Sequence, residues 1–320
     1  MAGWDALSPN PDLAVDRIVD LHHFAGTLTT CVILAGGDIV IVREQAPDAH
    51  IEIVGSIDAG ITAARWAPDE EVLIITTTQD TVVLMSRSFD GIAEANMSAD
   101  DLKLSKQVSV GWGKKETQFQ GKGAKAKALR DPTIPEKVDE GLLSSLDDQR
   151  TTISWRGDGT YVAINAVQPG LRRVIRVYTR EGILDSVTEP VDGLEGSLSW
   201  RPAGNLMAGI QRLADRIDVV FFERNGLRHG QFTLRILGYA KDALDGIGLE
   251  WNADSTVLAV SLRDRVQLWT MGNYHWYLKQ EIRCGDRRPI VSWHPEKALF
   301  IAAVTAGKSS WETCVKKFWC

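Results

Sequence analysis

Short apolar runs recur along the chain, each followed by a second run in which apolar and polar positions alternate. The first kind reads EVLIITTT, TYVAINAV, NLMAGIQ and TVLAVSL, and the second DTVVLMSR, RRVIRVYTR, DRIDVVFFER and DRVQLWT. Period-2 alternation rich in Val, Ile, Leu and aromatics marks half-buried strands. Pro-Asp, Gly-Asp-Gly, Pro-Ala-Gly and Ala-Asp-Ser stand before the first runs, where turn chemistry is needed. No amphipathic helical period lies between the strands. The pattern therefore predicts antiparallel strand–turn–strand units and not a parallel α/β sheet.

A tryptophan opens each unit: Trp66-Ala-Pro-Asp, Trp155-Arg-Gly-Asp, Trp200-Arg-Pro-Ala, Trp251-Asn-Ala-Asp and Trp293-His-Pro-Glu. The last four are 45, 51 and 42 residues apart, and Trp66 precedes Trp155 by 89, two periods or one period plus an insertion. Periods near 40–45 with a Trp and turn residues indicate propeller blades. Residues 13–57 supply one more unit without the Trp, with a hairpin turn at Gly36-Gly37-Asp38. The expected fold is all-β: a WD40-type β-propeller with about six recognisable blades of an expected seven, incomplete at both ends. It is read as one domain over residues 1–300, followed by an atypical tail over 301–320. Trp66, Trp155, Trp200, Trp251 and Trp293 are expected to wedge between blades as core. Asp80, Asp215 and Asp264, at one repeated turn position, are expected to cap local backbone and not to line a site.

The repeat breaks between residues 96 and 150. The middle of this stretch, residues 111–130, carries Lys114, Lys115, Lys122, Lys125, Lys127 and Arg130 against a single acid, Glu116. Four glycines accompany them (Gly111, Gly113, Gly121, Gly123), so a long inserted loop is expected. Lysines on such a loop suit phosphate contacts, and Trp112 and Phe119 could add stacking. A partner-protein contact and a merely solvated loop are the other readings. With a net charge of −6 over 320 residues, any nucleic-acid contact has to come from a local patch of this kind.

Other chemistry finds little support. Cys31, Cys284, Cys314 and Cys320 form no C-x-x-C pair, and reduced thiols in a cytosolic or nuclear protein are the simple reading. Ala302 to Ser309 matches a loose phosphate-loop pattern, but no helix start is expected behind it. No G-x-S-x-G or H-E-x-x-H motif occurs, and His22-His23 are adjacent, so on a strand they face opposite sides. No catalytic residue, metal site or cofactor is expected. No apolar run reaches the length of a membrane span. The opening MAGWDALSPNPDLAVDRIVD lacks an apolar core, so no signal peptide is expected, and Asn96-Met97-Ser98 is only a formal glycosylation acceptor.

Longer strings carry a closer likeness. VSVGWGKKETQFQGKGAKAKALRDPT, WRGDGTYVAINAV, RRVIRVYTREGILDSVTEPVDGLEGSLSWRPAGNLMAGIQ, DRIDVVFFERNGLRHGQFTLRI and DRVQLWTMGNYHWYLKQEI resemble the largest-subunit family of the Elongator complex, over roughly residues 14–300. The resemblance implies a non-catalytic scaffold, cytoplasmic and also nuclear, in an assembly that modifies wobble uridine of tRNA. It implies as partners a second subunit, itself a propeller protein, and a catalytic third subunit using a radical-SAM cluster and acetyl-CoA. Family members dimerise, and carry their best-known tRNA-binding region, near a C-terminus outside this stretch. From the residues alone two alternatives stay open: a generic WD40 adaptor in another assembly, or a propeller with a ligand or enzyme site in its central channel.

Overall fold

The computed structural model describes residues 16–43, 50–106, 139–168, 172–236, 246–284, 289–293, 300–306 and 311–317. Twenty-three strands and one 3-10 helix, Ala99–Lys106, make up the described regular structure. The strands form six antiparallel sheets in chain order, five of four strands and one of three. The first sheet holds β1 (Ile18–Phe24), β2 (Thr29–Leu34), β3 (Asp38–Arg43) and β4 (His50–Ser56). The second holds β5 (Ile61–Trp66), β6 (Val72–Thr77), β7 (Thr81–Ser86) and β8 (Gly91–Asn96). The third holds β9 (Thr152–Trp155), β10 (Tyr161–Val167), β11 (Arg173–Thr179) and β12 (Leu184–Val187). The fourth holds β13 (Leu194–Trp200), β14 (Leu206–Arg212), β15 (Ile217–Glu223) and β16 (Arg228–Thr233). The fifth holds β17 (Gly248–Trp251), β18 (Val257–Ser261), β19 (Arg265–Gly272) and β20 (His275–Arg283). The sixth holds β21 (Ile290–Trp293), β22 (Phe300–Ala306) and β23 (Trp311–Lys317). Every strand pairs with its neighbour in sequence, the meander that short turns allow.

The repeated tryptophan closes the first strand of five sheets, at Trp66, Trp155, Trp200, Trp251 and Trp293. In the first sheet Phe24 ends β1 and takes that place, buried and edge-on to Trp66 at 5.0 Å. The long step from Trp66 to Trp155 contains one sheet, β5–β8, and then the insertion: β8 ends at Asn96 and β9 begins at Thr152.

The described part of the segment set apart as a tail from residue 301 is paired strand. β22 pairs with both β21 and β23, from Ile290 opposite Val304 to Phe300 opposite Lys317. WETCVKK shows no clean alternation of apolar and polar positions, so only the backbone pairing reveals this strand.

The chain groups into two compact units: residues 1–98 with 158–162 and 178–184, and the remainder. In the first, side chains of the β1–β4 and β5–β8 sheets share one core around Ile33, Ile39, Ile41, Trp66, Leu73 and Ile75. In the second, the β13–β16 and β17–β20 sheets meet around Phe221, Phe232, Trp251 and Trp269, with Trp276 stacked on Phe221 at 4.8 Å. Another cluster joins β18 and β19 to Val291 and Trp293. Burying a large apolar side chain of this kind contributes about 1.5–3 kcal/mol.

Two of the alternating runs depart from the half-buried reading. β11 and β15 are buried at every position but the last, and the polar residues Arg173, Arg176 and Asp218 lie inside. Both faces of these strands are buried, so the polar half of the alternation has to find partners and not water: Arg173 bonds Asp147, Arg176 bonds Asp101 and Gln168, and Asp218 bonds Arg216 and Thr233.

Candidate interaction site at the base of the basic insertion

Lys114, Lys115, Lys122, Lys125, Lys127 and Arg130 lie outside the described residues. What is described is how the chain on either side of them is held, all within the second unit. On the approach, the first turn of the 3-10 helix carries Asp100 and Asp101. Asp101 Oδ2 accepts Nε of Arg176 at 3.0 Å, and Arg176 also bonds Gln168.

The return is held more firmly. Asp192 Oδ1 accepts three consecutive backbone N–H groups, from Glu140 (2.9 Å), Gly141 (2.8 Å) and Leu142 (3.0 Å). Converging amides of this kind form a nest for an anion. Gly141 makes it possible, because its φ is +84° and a Cβ there would meet Arg172 Cδ at 2.6 Å. Asp139 accepts Nη1 of Arg228 at 3.0 Å. Ser144 donates to Glu195 Oε1 at 2.9 Å, and Glu195 in turn takes a forked pair of bonds from Arg212. Asp147 closes the set: Arg173 donates to it through Nε at 2.7 Å and Nη2 at 2.5 Å, with side chains 1% and 4% exposed.

The Arg173–Asp147 and Arg212–Glu195 pairs are charge-assisted, two-pronged bonds in near-dry surroundings, the strong class. Losing one member of such a buried pair costs about 3–5 kcal/mol, because its partner is left charged and unpaired. Burial pushes the Arg172 guanidinium below its ordinary range, and the charge of Arg176 adds to the shift. The arrangement has no nucleophile–base pair. What it does is fix the described residues on either side of positions 107–138.

Sequence reasoning singled out the lysines and missed this clamp. The available signal was charge at inward strand positions, Arg173 and Arg176 in RRVIRVYTR. The five repeated tryptophans are placed at strand ends as described; Trp66, Trp155, Trp200 and Trp251 are buried, and Trp293 is half-buried. Asp80 sits in a turn at φ +57°, Asp215 lies 3.5 Å from Arg216, and Asp264 bonds Arg265. His22 meets Glu70 at 3.2 Å while His23 meets Thr30 at 3.1 Å. Among the described residues no group of three metal-type ligands gathers. Gly307, Lys308 and Ser309 of the phosphate-loop-like string lie outside the described residues, and Phe300–Ala306 before them is strand β22.

The family model of the ELP1 first N-terminal beta-propeller matches residues 2–296. The chain belongs to this family. Its sheets are thus blades of a β-propeller, and the match takes in all five Trp units, the insertion and the clamp. Elongator complex protein 1 of Schizosaccharomyces pombe is 48% identical over 299 residues, covering 91% of this chain and 23% of that protein. Elongator complex protein 1 of Saccharomyces cerevisiae is 44% identical over 328 residues, covering 91% and 24%. That of Rattus norvegicus is 42% identical over 278 residues, covering 83% and 20%. The chain spans about a quarter of the length of these relatives, or less.

Proposed function

We propose that this propeller is a non-catalytic scaffold of an Elongator complex and supports carboxymethyl-type modification of tRNA wobble uridine by holding partner proteins. The observation that carries the reading is the extended identity to proteins named Elongator complex protein 1, across insertion and turns as well as strands. Turns and loops that no propeller requires are where function is grafted onto this fold. The partners are the second subunit, a WD40 protein, and the third, catalytic subunit, in the cytoplasm and also the nucleus. The full-length protein dimerises through a C-terminal region. No chemistry is assigned to the propeller and no cofactor to its residues.

The basic segment adds a tRNA contact through Lys114, Lys115, Lys122, Lys125, Lys127 and Arg130. Its support is the local excess of positive charge on an acidic chain, and the clamp at its ends. The test is mass spectrometry of tRNA nucleosides from cells whose own gene carries these six residues changed to Glu. Carboxymethyl-type wobble uridine falls severalfold while the complex still assembles, and deletion of the gene abolishes the modification. A full level of modified uridine after deletion would overturn the function. A full level after charge reversal alone would overturn the tRNA contact.

A further inference from the structure

Four arginines of the clamp each hold a carboxylate. Arg173 meets Asp147 at 2.5 Å, Arg176 meets Asp101 at 3.0 Å, Arg228 meets Asp139 at 3.0 Å, and Arg212 forks onto Glu195. Arg172, beside them, differs. It is 7% exposed, and its head group makes one long bond among the described residues, from Nη2 to the Thr188 carbonyl at 3.4 Å. Nη1 is buried with no hydrogen-bond partner there. Burial and the charge of Arg176 both disfavour the charged form of Arg172, and no carboxylate opposes them. A guanidinium withdrawn from water and left unpaired is strongly disfavoured.

The rest of Arg172 is firmly placed. A Cβ on Gly141 would meet its Cδ at 2.6 Å and its Cβ at 3.1 Å, so the arginine stem lies flush against the middle residue of the clamp. The Arg172 carbonyl accepts the Gln168 N–H at 2.8 Å, between the ends of β10 and β11. The head group, held by one weak bond, can turn toward an incoming anion without breaking a firm contact. The carboxylates around it are already engaged: Asp101, Asp139, Asp147 and Glu195 each hold an arginine, and Asp192 holds three N–H groups. Guanidinium suits phosphate oxygens in geometry and in its weak hydration. The second positive charge at Arg176 favours an anion of higher charge than a carboxylate.

We infer that Arg172 binds a phosphate oxyanion through Nη1 and that the bound anion braces the clamp at Gly141. The phosphate is either a free ion or a backbone group of RNA. The test is hydrogen exchange in the full-length protein, read by mass spectrometry on the peptide carrying Glu140, Gly141 and Leu142. Inorganic phosphate is titrated against chloride at equal ionic strength. At ten times the half-saturating phosphate this peptide exchanges about tenfold more slowly. Arg172→Gln abolishes the slowing, and Arg172→Lys, which keeps the charge without the fork, retains part of it. Phosphate also stabilises folded proteins generally, so peptides from residues 50–98 serve as the reference and show no comparable slowing. In phosphate-free buffer the unfolding transition of the propeller is no lower in Arg172→Gln than in the parent, because an unpaired buried charge has been removed. Transfer RNA in place of phosphate identifies the source. Slowing by tRNA that Arg172→Gln abolishes assigns a backbone phosphate, and slowing by phosphate alone assigns a free ion. Slowing by neither, or slowing undiminished in Arg172→Gln, would overturn the site. So would a lower transition of Arg172→Gln in phosphate-free buffer, which would make Arg172 an ordinary packed residue.

Discussion

Asp20, Cys31 and Arg172 are governed by burial more than by their immediate neighbours. Asp20 on β1 is mostly buried, and desolvation raises its carboxyl above the ordinary range against the lowering effects of Arg65 and His22. Its folded pKa is therefore above its unfolded value. The stability it contributes is fully present below the unfolded pKa and is lost as pH rises through the folded one. Asp20→Asn accordingly raises Tm at pH 7, and the gain shrinks as pH falls through the acid range. Thermal unfolding of both proteins across that range checks the sign; a gain that grows with acid would contradict it. Cys31 is governed in the same way, its thiol pushed up to about 12 chiefly by burial, which makes it a core residue and not a reactive one. Of these residue-scale features, Trp66, Trp155, Trp200, Trp251 and Trp293 were legible in the sequence because spacing and turn context repeat. Phe24 in the same role was not, because only the pairing of β1 reveals it. The burial of Arg173 and Arg176 was not legible, because alternation along one strand says nothing of the distant carboxylates, Asp147 and Asp101, that meet its polar positions.

Among the elements, strands and turns followed from local pattern, while the segment 139–148 did not. It has no period of its own and is held by groups from elsewhere: the side chains of Asp192, Glu195, Arg173 and Arg228, and the Gly193 N–H, which donates to the Leu142 carbonyl. Its order thus depends on a carboxylate about fifty residues away in sequence. Asp192→Ala leaves three backbone N–H groups without their acceptor and costs about 2–3 kcal/mol. Hydrogen exchange at Glu140, Gly141 and Leu142 accelerates beyond the change elsewhere in the protein. Uniform acceleration at all amides would mean that the clamp is ordinary core and not a local latch. β22 and β23 teach the complementary lesson. Their backbone pairing is regular, but WETCVKK shows no clean alternation that would reveal it.

At the scale of the molecule, sequence periodicity carried the architecture, because five of the six sheets repeat one solution: a first strand ending in Trp, a turn, and strands that pair only with their neighbours. Function was legible only through resemblance. The basic segment has charge but no periodicity, and the clamp at its ends joins residues that are far apart in the chain. Both belong to the same matched propeller. The most direct measurement is affinity purification of the tagged chain from its own cells, followed by mass spectrometry. A scaffold propeller brings down the second and third Elongator subunits in near-equal amounts. A soluble, folded chain that retains neither would contradict the scaffold function.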